Sequence, residues 1–399
     1  MSAQPAQLLP GVNLSDDVRS HHLEVVNDRR HLHTIPEIGL EEYETAKFID
    51  ARLDSLGLSH ERCSPTGVVS VLDSGQPGPT VLLRADIDAL PILEETGMDY
   101  ASTHAGKMHA CGHDTHTAMQ LGVARRLKAE GIARGRVKLC FQPGEEGHHG
   151  AEKMIAAGVL ENPQVDYAYG QHIWSKDPVG KILIQGGPVM AAVDKVELTI
   201  RGRGTHAAYP HGGVDPVFCG AQIVTALQSI VSRNTDPLDN AVVTVSMFHA
   251  GTAHNIIPET AELTMSVRVF KDDLHDMLEK RIKEICTGVA AALGCTAEVN
   301  YIREHAPVVN DLRIAEIVRE EAVAIVGADN IVDDQRTMGA EDFGDFLRAV
   351  PGAFAFVGAM NPAKDCVYPH HHPKFNVDED AFAIGAELMY RVGKRLLEL

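Results

Sequence analysis

Two kinds of strand occur in separate blocks of this chain, and they limit its fold more than any other feature. Val81, Leu82 and Leu83 form a continuous apolar run, as do most residues from Val137 to Phe141. Such runs suit strands buried on both faces, the pattern of a parallel sheet covered by helices. From Lys195 the pattern changes. Val196, Leu198 and Ile200 alternate with Lys195, Glu197, Thr199 and Arg201, which marks a strand with one wet face.

The segments between these strands carry helical signals. Ser15-Asp16-Asp17 caps and charges a first helix that stops at Ile35-Pro36. A second runs from Glu41 to Leu56 and closes at Gly57. Helices are also expected over His116 to Lys128, Leu312 to Val326 and Asp378 to Leu397. Strands are expected over 67–72, 80–85, 166–172 and 353–357. Between Pro188 and Arg303 the order is β-α-β-β-α-β, a split, ferredoxin-like unit. The expected fold is therefore α/β. A discontinuous first domain with a mostly parallel sheet spans 1–187 and 304–399, and a second domain at 188–303 is inserted into it. A chain of 399 residues is long for one core, which agrees with this division.

Charge and composition exclude some functions. A net charge of -19 leaves no basic stripe for nucleic acid. No apolar run approaches the length of a membrane span, and residues 1–22 lack the apolar core of a secretory signal. The seven cysteines are scattered and odd in number, so a disulfide framework is not expected and a reducing cytoplasm is.

The 21 histidines are more informative, because several cluster with Cys, Asp or Glu. His109-Ala110-Cys111-Gly112-His113-Asp114-Thr115-His116 offers a thiolate and an imidazole two residues apart. That pair suits borderline-soft transition metals. Taken alone, Cys111 would read as a buried structural residue, or as a nucleophile paired with His113 or His116. Gln142-Pro143-Gly144-Glu145-Glu146-Gly147 follows a buried strand, where α/β folds bind ligands. Adjacent glutamates point in different directions, so one can bind a metal while the other handles a proton. Arg84-Ala85-Asp86-Ile87-Asp88 ends another strand and can orient a ligand. His172 in Gly170-Gln171-His172-Ile173-Trp174, and the run His370-His371-His372 before Pro373, each add a metal-competent group. In the second domain, His206 lies among small residues and can meet a developing oxyanion. Asn255 and Arg268 are candidates for gripping a substrate carboxylate.

These motifs carry a resemblance. Arg30-x-Leu32-His33-x-x-Pro36-Glu37, Ala85-Asp86-x-Asp88-Ala89-Leu90-Pro91, the Cys111-Gly112-His113-Asp114 run, Phe141-Gln142-Pro143-x-Glu145-Glu146 and Thr205-His206-Ala207-Ala208 together resemble one branch of the aminoacylase and carboxypeptidase-like metallopeptidase family. That branch includes hippurate hydrolase, auxin-conjugate amidohydrolases and N-acetyl-diaminopimelate deacetylase. The resemblance extends over nearly the whole chain after about residue 18. It implies two divalent transition-metal ions per subunit, zinc or manganese, with cobalt or nickel as further options. Cys111 would bridge them, with His113 and His172 on one ion and Glu146 and His371 on the other. Glu145 would be the general base and acid, and Asp88 the orienting carboxylate. Asp86 is not assigned as a ligand. The inserted domain would act as a lid and dimerisation domain and supply His206, giving a homodimer or a dimer of dimers. The implied activity is hydrolysis of a small N-acyl-L-amino acid, of acetyl, benzoyl or indole-acetyl type, to a carboxylic acid and a free amino acid. A dipeptidase or aminopeptidase on the same scaffold is the alternative. It would need a group that binds a free substrate amine, which the sequence does not reveal.

Overall fold

Ser15 accepts a hydrogen bond from the Val18 N–H and so starts α1 (Asp16–Thr34) where the capping signal placed it. The computed structural model describes residues 9–399. After α1 come α2 (Tyr43–Ser55), β1 (His60–Arg62), β2 (Val68–Asp73), β3 (Thr80–Asp86), α3 (His113–Glu130), β4 (Arg136–Gln142), α4 (Gly150–Ala156), β5 (Tyr167–Pro178) and β6 (Ile182–Leu183). The chain continues through β7 (Gly187–Met190), β8 (Ala192–Arg201), β9 (Thr205–His206), α5 (Pro216–Ser229), β10 (Ala241–Ala250), β11 (Ile256–Ile257), β12 (Thr260–Val269), α6 (Asp272–Ala292), β13 (Thr296–His305) and β14 (Val308–Asn310). It ends with α7 (Leu312–Val326), β15 (Ile331–Val332), α8 (Phe343–Ala349), β16 (Gly352–Met360) and α9 (Asp380–Leu396).

Two compact units result. The first runs to Val189 and resumes over Val309–Gln335 and Asp342–Leu399; the second comprises Met190–Val308 and Arg336–Glu341. The first unit holds an eight-stranded sheet in the order β1-β2-β4-β3-β5-β16-β6-β15. Its central strands β4, β3, β5 and β16 are parallel, and antiparallel pairing appears toward the margins, at β1–β2, β2–β4 and β16–β6. β3 is buried along its whole length, as its unbroken apolar run requires. Helices α3 and α9 pack on β3 and β5. Close approach of α9 depends on Gly385, where a Cβ would lie 2.4 Å from Met119 Sδ and 2.9 Å from Gln171 Nε2. Gln171 Nε2 in turn donates to the Gly385 carbonyl at 2.9 Å.

The second unit holds a four-stranded sheet, β10-β12-β8-β13, antiparallel throughout. Val196, Leu198 and Ile200 of β8 are buried, and the residues between them are partly exposed, so the alternation read from the sequence is the alternation of the two faces. Helices α5 and α6 pack on this sheet through Cys219, Ile223 and Leu227 and through Leu278, Ile282 and Cys286. A two-stranded ribbon, β9 with β11, stands apart from the sheet and pairs His206 with Ile256.

Two element boundaries differ from expectation in ways that affect the chemistry. Helix α3 begins at His113 rather than His116, because Gly112 adopts φ 92° and turns the chain into the helix there. Strand β5 continues to Pro178, so His172 lies inside a strand rather than at its end. Its partner β16 runs beside it for nine residues, and Phe356 pairs with His172. No helix among the described residues is long and apolar enough to cross a membrane.

Candidate metal centre

The parallel register brings the chemistry to one edge of the first sheet. Asp86 pairs with Gln142, and Arg84 pairs with both Cys140 and Gly170. Asp88 after β3 and Glu145 and Glu146 after β4 therefore leave their strands in the same direction, and His172, two positions beyond Gly170 within β5, lies level with them. Gly112 delivers the remaining loop. A Cβ there would lie 2.6 Å from Ile173 Cγ2, so only glycine lets Cys111 and His113 pass this close to β5.

The donor atoms converge. One potential ligand atom from each of Cys111, His113 and His172 lies within 4.8 Å of the others, and the same holds for Cys111, Glu146 and His371, and for His113, Glu145 and Glu146. Cys111 Sγ is 3.4 Å from His172 Nε2, and His371 Nε2 is 3.1 Å from Glu146 Oε1. Cys111 belongs to both ligand groups, so two adjacent ions could share its sulfur. The histidine run also resolves. His371, at φ 67°, donates its backbone N–H to the Ala110 carbonyl, which places its ring beside Cys111. His370 packs against His172, Trp174 and Phe375, and His372 stacks on Tyr368.

Hydrogen bonds fix which nitrogens carry lone pairs. His172 Nδ1 donates to the Ile173 carbonyl, leaving Nε2 free of a proton toward Cys111. His113 Nδ1 donates to Asp88 Oδ1 at 3.1 Å, and its buried Nε2 has no hydrogen-bond partner. Asp88 uses its other oxygen to accept the Glu146 N–H at 2.9 Å, so one carboxylate orients both an imidazole and the glutamate turn. Glu146 Oε1 is buried and lies near His371 Nε2 without hydrogen-bond alignment. Unpaired lone pairs facing each other are costly unless a cation sits between them, so this donor set fits a transition metal.

The electrostatics agree. Burial raises the Cys111 thiol well above its usual range, and Glu146, Glu145 and Asp86 push it further. A bare nucleophilic cysteine needs the opposite environment, whereas a coordinated one is deprotonated by its metal. His113 differs: burial opposes its charged form, but Asp86 and Asp88 outweigh it and hold its pKa up at about 10, so a metal binding there would have to displace the Nε2 proton that these carboxylates favour. Burial, then His116 and His370, pull His172 well below the usual range and keep it neutral.

The second unit holds its expected residues in two places. His206 and Asn255 meet on the β9–β11 ribbon, where the Ala207 N–H donates to the Asn255 carbonyl at 2.9 Å. Both are exposed. His206 Nδ1 accepts from the Ala208 N–H at 3.1 Å, so its Nε2 carries the proton and can donate. Arg268, on β12, is half-buried and donates to the Met338 carbonyl at 2.8 Å.

Among the buried groups around the centre, the sequence motifs include Arg84, His33 and Asp114 without their partners, and they do not include Glu42 or Arg29. Arg84 donates to Gln142 at 2.8 Å, Asp86 at 2.8 Å and Asp342 at 2.9 Å. Glu42, fully buried, accepts from the Gly144 N–H at 2.9 Å and from the Thr66 hydroxyl, and so anchors the turn that carries Glu145. His33 and Arg29 hold Asp114, the residue after His113, at 2.7 and 2.9 Å. The signal available for these was their type: charged residues within apolar or helical segments seldom lie buried unless paired.

The model of the family described as Peptidase family M20/M25/M40 matches residues 82–395. The chain is 39% identical over 377 residues to an N-acetyl-L-cysteine deacetylase of Bacillus subtilis, covering 94% of this chain and 88% of that one. It is 40% identical over 382 residues to the IAA-amino acid hydrolase ILR1-like 4 of Arabidopsis thaliana, covering 94% and 86%. Among solved structures, a Bacillus subtilis protein described as a dinuclear metal binding peptidase from the M20 family superposes with a TM-score of 0.83 at 32% identity, covering 95% of this chain and 99% of that one.

Proposed function

The chain belongs to the peptidase family M20/M25/M40, and from that premise we propose that it is a metal-dependent amidohydrolase that cleaves N-acyl-L-amino acids to a carboxylic acid and a free amino acid. The observation that carries this reading is the convergence of Cys111, His113, His172, Glu146 and His371 around lone pairs that hydrogen bonds have left unprotonated or unpaired. Cys111 would be shared between two ions, with His113 and His172 holding one and Glu146 and His371 the other. Two divalent ions held there, zinc or manganese with cobalt or nickel as substitutes, would lower the pKa of a water and polarise the scissile carbonyl.

The protein's own groups supply the rest. Asp88 holds His113 and the Glu146 backbone in place. The Glu145 carboxylate takes the proton of the attacking water and returns it to the leaving amine. His206 donates from Nε2 to the developing oxyanion, and Asn255 and Arg268 bind the substrate carboxylate. The ferredoxin-like block at 188–303 serves as a lid and dimerisation domain inserted between 1–187 and 304–399. The exposed Val217 and Phe218 of α5, and Met247 and Phe248 of the edge strand β10, support a homodimer, or a dimer of dimers, through this domain. Seven unpaired thiols suit a cytoplasmic setting. The names of the two relatives favour acetyl and indole-acetyl conjugates, and benzoyl conjugates belong to the same chemical class.

Hydrolysis of acetyl, benzoyl and indole-acetyl amino acids alongside dipeptides, with and without a chelator and after metal add-back, tests the reading. Chelator-sensitive release of amino acid from the acyl conjugates is expected. Activity confined to dipeptides would replace it with the peptidase reading.

A further inference from the structure

Asp86, His113 and His116 also bring potential ligand atoms within 4.8 Å of one another, all buried. On distance alone they would make a third ligand group at the centre. Their hydrogen bonds give Asp86 and His116 a different task. Asp86 Oδ2 accepts from Arg84 at 2.8 Å, and Asp86 Oδ1 accepts from His116 Nδ1. His116 Nδ1 therefore carries the proton. Its Nε2 is an acceptor and receives the Ile173 N–H at 2.8 Å. Both ring nitrogens of His116 are thus committed, and no lone pair on the ring is left for a metal.

The bond to Ile173 matters because Ile173 is the neighbour of His172. The Ile173 carbonyl accepts from His172 Nδ1, and this fixes the tautomer that turns Nε2 toward Cys111. The His116 and His172 rings also meet edge to face, with centroids 4.5 Å apart. The chain of contacts is continuous from the Arg84 guanidinium through Asp86 and His116 to the backbone that aims His172. Each side chain in it is at least nine-tenths buried, so water cannot replace a lost partner.

We infer that Asp86 and His116 are a positioning pair that aims His172 at its metal, and that neither is itself a ligand. This rests on the proposed assignment of His172 as a ligand. Partners behind a metal-bound imidazole typically contribute about 10- to 100-fold in metal affinity. Substitutions here should weaken one ion without removing a site.

The test uses the full-length, metal-stripped protein, titrated with zinc against a chromophoric chelator and, separately, with cobalt followed by absorption spectroscopy. The variants are His116→Asn, His116→Gln and Asp86→Asn, each checked for folding by thermal melting. Asn keeps a donor toward Asp86 but does not reach Ile173, whereas Gln reaches far enough to accept the Ile173 N–H. The wild type should bind two ions. His116→Asn and Asp86→Asn should still bind two, one of them about 10- to 100-fold more weakly and with an altered cobalt spectrum, and His116→Gln should recover most of the loss. If Asn or Gln at 116 removes one ion at saturating metal, His116 is a ligand and the inference is overturned. Unchanged affinity and spectrum would overturn it from the other side. A wild type that binds no metal overturns the functional reading, and this inference with it, so the two failures are told apart by the wild-type titration.

Discussion

The side chains of the first unit's centre and those of the second unit differ in how firmly their own surroundings hold them. In the first unit, His113, Asp88, Asp86 and His116 are almost wholly buried, and each is oriented by a second buried group. In the second, His206 and Asn255 are exposed on a two-stranded ribbon, and Arg268 is half-buried. Burial fixes tautomers and directions before any ligand arrives. Exposure leaves side chains free to meet a ligand, at the cost of ordering them when it binds. On the proposed roles, a rigid set would suit a metal and a looser one a substrate that must enter and leave.

The largest effect expected from breaking the rigid half is that of Cys111→Ala. Loss of the shared sulfur should abolish hydrolysis and leave the protein with fewer than two ions by metal analysis; retained stoichiometry would remove Cys111 from its bridging role. His206→Ala sharpens the contrast. It should lower kcat by about 10²- to 10³-fold, the usual cost of an oxyanion donor, with metal content unchanged. A metal-deficient His206→Ala protein would mean that the looser half also supports the ions. Glu42→Ala leaves the buried Gly144 N–H without its acceptor. Steady-state kinetics should show a fall in kcat of about tenfold, the equivalent of about 1.4 kcal/mol, while Glu42→Gln, which keeps an acceptor, stays near wild type.

Acid should also act on the rigid half. Burial lowers His109 to about 4, and loss of solvent around its ring lowers His370 to about 3. Between those values and the usual 6.5 the unfolded chain takes up protons that the folded chain does not. Stability is therefore present above 6.5 and is lost as pH falls through that window. The melting temperature of the metal-free protein should drop steadily from pH 7 to pH 4, and a flat profile would contradict this assignment. The smallest effect on the fold is expected from Phe218→Glu on the exposed face of α5. Light scattering should show dissociation toward monomer, with little change in melting temperature.

Much of this organisation was legible in the residues. The change from unbroken apolar runs to strict alternation separated two sheets, because burial on one face or two dictates the pattern directly. Cys111, His113, Glu146, His172 and His371 could be picked out because metal-competent types are informative wherever they cluster. What stayed hidden depended on long-range register. Nothing local to Asp86 or His116 announces that one accepts from the other, or that Ile173 needs an acceptor from α3. The start of α3 at His113 was missed because the apolar periodicity begins later, and the turn at Gly112 is imposed by its packing against Ile173. Short elements such as β6, β15 and the β9–β11 ribbon hold too few residues to show a period at all.

The most direct test of the central claim is the Glu145→Gln protein, assayed in parallel for bound metal and for hydrolysis of an N-acyl amino acid. Two ions per subunit, as in the wild type, with turnover reduced by about 10²- to 10⁴-fold, is the expected result for a general base beside an intact centre. Undiminished turnover would contradict the account.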